Sequence, residues 1–402
     1  ATSGDFSTAL EIETPTIATV TVGSITTEGA GSHGITIAGR TETYNLPGYY
    51  VGDVYYDGEQ VSIAKPATAA GIQVGSVTTS GGSANGITAY VLGDVAIAAG
   101  NVNTTGARAT GITTRSGGDA SILVDTLSTE GRRADGIFAS ALGEVVIGVG
   151  SASTAGDRAT AIRTVSAGDA TVILGELASS GNTATGIDVT TAGVANVALG
   201  AATLDGDYST GISISASGGA NVVAGDISSA GYYATGISVA TFGDATVALG
   251  SADISGTYAN AIDITANGDT TVYAGQLTIE GYLADGILVM TEGSANIALQ
   301  SASVSGVYSN AIDVTAAGEV GIVAGQLAIE GESSQAILVS SGGSTTIGLG
   351  SGHATGDYSG VISVDSAGDV NILADQLSAT GNYAGGIYVY NGGMATLAVN
   401  AV

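Results

Sequence analysis

Three files of side chains in this 402-residue chain have the types and spacing to do chemistry. Acidic residues recur every 25 residues at Asp94, Asp119, Glu144, Asp169, Asp244, Asp269, Glu319 and Asp369. Carboxylates suit hard cations, which makes Asp94, Asp119, Asp169, Asp244 and Asp269 candidates for calcium. The bland reading is a solvated turn, since aspartate favours turns and like charges one strand apart repel. A tyrosine file, Tyr208, Tyr233, Tyr258, Tyr308, Tyr358 and Tyr383, follows arginines in the same column at Arg108, Arg133 and Arg158. Stacked tyrosines brace neighbouring strands, and an aromatic strip also suits glycans. The arginines, with Arg115, Arg132 and Arg163, form a basic patch that offsets acidic neighbours or docks a partner. In the third file Leu123, Ile173, Val223, Tyr273, Val323 and Leu373 alternate with Gly148, Ala198, Ala248, Ala298 and Gly348.

Catalytic chemistry has less to stand on. His33 and His353 are isolated, there is no cysteine, and no serine sits in a nucleophile motif beside a base. No catalytic residue is nominated, and the chain is read as a non-enzyme.

What places these files is a tandem repeat. AATLDGDYSTGISISASGGANVVAG at 201–225 lies over DISSAGYYATGISVATFGDATVALG at 226–250, glycine on glycine and Ile212 on Ile237. With Ser76 as position 1, thirteen such units fill 76–400. Ser24–Gly48 reads as a further unit, Tyr49–Gly75 as a degenerate one with two extra residues, and Gly4–Gly23 as the first. That makes about sixteen coils. The stretch 40–66 is the irregular one, and 1–402 is a single array rather than several domains. A period of 25 is too short for a propeller blade.

Each unit holds three runs of alternating polarity, as at Leu277/Ile279, Ile287/Val289 and Ile297/Leu299, with glycines between them. Alternation rich in Val, Ile and Thr predicts strands, and three strands per period predict one turn of an all-β parallel β-solenoid. The expected form is a right-handed, three-sided β-helix, a rod of roughly 75–80 Å at the strand spacing. Position 23 then points outward, because neighbours on a strand face opposite sides. The third file becomes an exposed lateral face, suited to packing rod against rod.

The core of the repeat, ATGI followed by GDATVALG, resembles the glycine-rich repeats of bacterial surface proteins of the autotransporter-passenger and filamentous-haemagglutinin-like β-helix type. The resemblance covers nearly the whole chain and implies a right-handed β-helix serving as an adhesin or surface stalk. The chain departs from that pattern in lacking a barrel-like C-terminal stretch and an evident N-terminal helical cap.

A formal charge of −28 argues against nucleic acid and anionic membrane surfaces, and no apolar run is long enough for a membrane helix. The 44% hydrophobic content excludes a disordered chain. An extracellular or cell-surface location is expected. Less the two-residue insertion, the chain makes sixteen periods, and Ala401–Val402 followed by Ala1–Thr2–Ser3 reads on in phase. Ala1, Thr2, Ser3, Phe6, Ala401 and Val402 are therefore the expected end-to-end contact. The function expected is a secreted structural protein, a filament subunit that stacks head to tail on copies of itself. Neighbouring filaments or surface glycans are further partners. The alternatives are an adhesin passenger or stalk, and after it a polysaccharide-active β-helix enzyme.

Overall fold

A computed structural model describes residues 2–38 and 67–401 in full, and four backbone strands between 40 and 65. The described residues contain no helix and form a parallel β-solenoid of about fifteen turns. Two parallel sheets of 16 and 15 strands run its length, each strand hydrogen-bonded to its equivalents in the turns before and after. Register is fixed by the period: Val197 pairs with Val222, and Val222 with Val247.

The longer strands span the unit boundary. Ala220–Ala230 buries Ala220, Val222 and Ala224, then slips by one and buries Ile227 and Ser229. Gly225 and Asp226, next to each other in the slip, both turn away from the core. Two successive outward residues on one strand mean a corner, so the first and third runs of the repeat are limbs of a single bent strand. The middle run forms the shorter strand, as in Thr210–Ala216, which buries Ile212, Ile214 and Ala216. Three limbs per turn enclose one continuous apolar core.

A tight turn at positions 6–8 joins the longer strand to the shorter one. Gly206 takes φ 151° and Tyr208 φ 57°. Glycine is required at position 6, where a Cβ would press into the carbonyl oxygen of Gly181 one turn below.

The register corrects the count of coils. Ser24 pairs with Ser76 and Ile35 with Ile87, 52 residues on rather than 25. Residues 24–75 are thus one turn carrying an excursion, not the two units that the glycine spacing suggests. The excursion pairs Arg40–Asn45 with Gln60–Lys65, and Tyr49–Val51 with Val54–Tyr56, both antiparallel. Antiparallel strands close on themselves and have no place in the parallel ladder.

Candidate functional site

The acidic file lies at the turn between the shorter and longer strands, and its chemistry is visible in the hydrogen bonds. Asp94 Oδ1 accepts from the Asp119 amide at 3.0 Å, and Asp119 Oδ1 from the Glu144 amide at 2.8 Å. Asp169, Asp244 and Asp269 do the same for Val194, Asp269 and Ser294. Each of these aspartates stitches its turn to the next one. Two further files, at the turn that joins the longer strand to the shorter one, use the same device. At position 7, Asp157, Asn182 and Asp207 accept from the amides of Asn182, Asp207 and Tyr232. At position 10, Asn260, Asp285 and Asn310 accept from those of Asp285, Asn310 and Gln335. Sequence reasoning found the first of these files and missed the other two. Their signal is Asp or Asn recurring at one position of the repeat.

The position-10 stair is electrostatically loaded. Burial pushes Asp285 up to about 6, and the nearby carboxylates of Asp313 and Asp263 add to the rise. Asp263 and Asp313 are also raised by burial. The earlier turns hold a balanced version: Arg163 pairs with Asp188 at 3.1 Å and Asp135 at 3.3 Å. Arg115 lies over the Tyr90 ring at 5.6 Å. Arg108, Arg132 and Arg133 instead line a shallow surface depression of about 430 Å³.

The tyrosine file lies at position 8, in the left-handed region in every case: Tyr208, Tyr233, Tyr258, Tyr308, Tyr358 and Tyr383 have φ of 56° to 59°. Arg108, Arg133 and Arg158 share that conformation, as does Phe6. Tyr208 stacks on Tyr233 with centroids 5.1 Å apart, Tyr233 on Tyr258 at 4.6 Å, and Tyr358 on Tyr383 at 5.1 Å. Tyr232 and Tyr282 meet the file edge-on. Within the stacks the ring faces are turned towards each other, so edges and hydroxyls are what the strip offers to a ligand.

Position 23 points outward, and Leu123, Ile173, Val223, Tyr273, Val323 and Leu373 are each more than half exposed. Val223, Tyr273 and Val323 stand around a depression of about 610 Å³ floored by Ala248 and Ala298. A second depression, of about 390 Å³, continues past Gly348 to Leu373. At the ends, Thr2 and Ser3 pair with Thr27 and Glu28, and Ala401 with Gln376. Phe6 stands 84% exposed above Gly31. Ala1 and Val402, and the side chains of 40–66, lie outside the described residues. His33 Nδ1 accepts from the Asn85 amide, on the shorter-strand sheet, while His353 lies in the longer strand Thr345–Thr355.

Searches of the chain against protein-family models, curated proteins and solved structures returned no match.

Proposed function

We propose that this chain is a structural component of the cell exterior, a rod of β-solenoid that extends by stacking on copies of itself. The observation that carries this reading is the unbroken ladder. Each turn presents backbone donors and acceptors in the register that its neighbour uses, so a turn of another copy meets the same template. Head-to-tail contact of that kind does not close, and it gives a filament rather than a ring. The three files of Asp and Asn stitches, at two of the corners, add a second set of turn-to-turn bonds of the same period. The resemblance to surface β-helix proteins and the acidity support an extracellular place.

The second reading, an adhesin stalk that engages glycans, is favoured by the exposed tyrosine strip. Electron micrographs of the purified protein separate the two. Filaments many chain lengths long support the structural reading, and isolated short rods at every concentration remove it. Glycan-array binding lost on Tyr233→Ala and Tyr258→Ala would favour the adhesin.

A further inference from the structure

The outer limb of the long sheet departs from the rest of the molecule in its charge. Between the turns that bound it, its outward residues from Ala96 to Leu373 are positions 21 and 23, and none is charged, in a chain carrying 36 acidic and eight basic side chains; the corner at position 25 adds one carboxylate over that span, Asp125. Position 21 is mostly Thr, Asn or Ser, as at Thr171, Asn221 and Thr271. Position 23 alternates large and small. The core explains a two-turn period on the inward side, because Leu and Ala trade places at buried positions there. It does not explain a matching alternation among side chains that stand in solvent. An exposed apolar stripe of this length marks an interaction surface.

We infer that this face pairs with the same face of a second copy, the rods antiparallel, so that the large residues of each copy seat over the small residues of the other. The self-repulsion of two chains at −28 leaves an uncharged face as the surface on which they approach at least cost. Symmetry then selects the orientation. A two-fold axis along the rods places each large residue opposite its own copy, knob on knob. A two-fold axis across the rods, passing midway between adjacent turns, carries every knob onto a gap. With that axis between the turns of Ala248 and Tyr273, Tyr273 faces Ala248, Val223 faces Ala298, and Ile173 faces Gly348. Moving the axis one turn down again seats all six knobs. The contact is isologous and closed. Twelve turns at the strand spacing and a limb of five residues give about 900 Å² on each copy, or about 1,800 Å² in all, the size of a stable interface.

The same operation lays the acidic file of one copy beside that of the other, roughly one sheet spacing of about 10 Å apart. Pairing is therefore expected to strengthen as salt screens these charges, since the Debye length is about 10 Å at 0.1 M.

This inference rests on the reading of the chain as a self-assembling rod, but it fails separately. Paired rods of one chain length would keep it while removing end-to-end extension, and filaments one rod wide would do the reverse. The test is sedimentation of the full chain across a salt series, with two variants checked for native circular dichroism. Ala248→Leu/Ala298→Leu fills gaps while adding apolar surface. Val223→Ser/Tyr273→Ser/Val323→Ser removes knobs. The expected result is a dimer that strengthens with salt and loses at least about tenfold in affinity in both variants. A gap-filled variant that associates as well as or better than the parent would mean unspecific stickiness and overturn the proposal. So would a parent that stays monomeric at its highest soluble concentration in high salt.

Discussion

Asp285 shows how a single side chain serves the ladder at a cost that depends on pH. Its Oδ1 holds the Asn310 amide at 2.8 Å, yet burial beside Asp313 and Asp263 pushes its carboxyl up to about 6. In the unfolded chain the group ionises near 4. Between those values the unfolded state releases a proton more readily, so stability falls as pH rises from about 4 to 6, and the deficit persists above. A shift of about two units corresponds to roughly 3 kcal/mol at most. Asp285→Asn keeps the Oδ1 acceptor and removes the charge. Its unfolding free energy should exceed that of the parent at pH 7.5 by about 2–3 kcal/mol, and the gap should close by pH 4. Denaturant titrations of both proteins at the two pH values check this. An equal gap at both would show that charge at Asp285 is not the cause.

The bent strand is where the two-turn period acquires a physical reason. Positions 24 and 2 flank the corner and both face inward, and over the second half they trade volume. Leu249 goes with Ala252, Ala274 with Leu277, Leu299 with Ala302, and Ala324 with Leu327, all buried. Each turn holds one large residue at its corner, and successive turns put it on opposite sides of the bend, as close packing requires. Leu249→Ala should cost about 2–5 kcal/mol through the cavity it leaves. Ala252→Leu should cost about 1–3 kcal/mol although it adds apolar atoms, because the site is full. Thermal melts of the two variants check both. A stabilising Ala252→Leu would mean that the corner is not packed as described.

Position 4 carries a different burden in the first half of the rod. Thr27, Thr79, Thr104 and Thr129 stack in register with buried hydroxyls that have no partner. Thr104→Val should stabilise the protein by about 1 kcal/mol, measured by denaturant unfolding, by removing that desolvated hydroxyl. The strand runs, the period and the outward direction of position 23 were legible in the sequence, because alternation sets which side of a strand faces in. The joining of two runs across the unit boundary was not. A one-residue slip at Gly225 looks like a turn until burial shows the strand carrying on through it.

At the scale of the whole molecule, one period repeated along the chain fixes the architecture, and one excursion breaks it. The sequence marks 40–66 as irregular, yet the stretch still reads as a coil, because Gly29, Gly34 and Gly48 keep the spacing of the repeat. Pairing of Ser24 with Ser76, with the strands Arg40–Asn45 and Gln60–Lys65 outside the ladder, is a long-range fact that local spacing does not carry. The candidate surfaces divide in the same way. The tyrosine and position-23 files were visible as columns of letters. The amide stitches needed the turns stacked to be seen, since each joins residues 25 apart.

The central claim is that fifteen turns of one ladder are built to continue into further copies. Cryo-electron microscopy of the purified chain at rising concentration tests it most directly. The account predicts rods many times the length of one chain, itself about 70 Å at the strand spacing, with an unbroken axial layer line near 4.8 Å. Particles that remain one chain long at every concentration would contradict it.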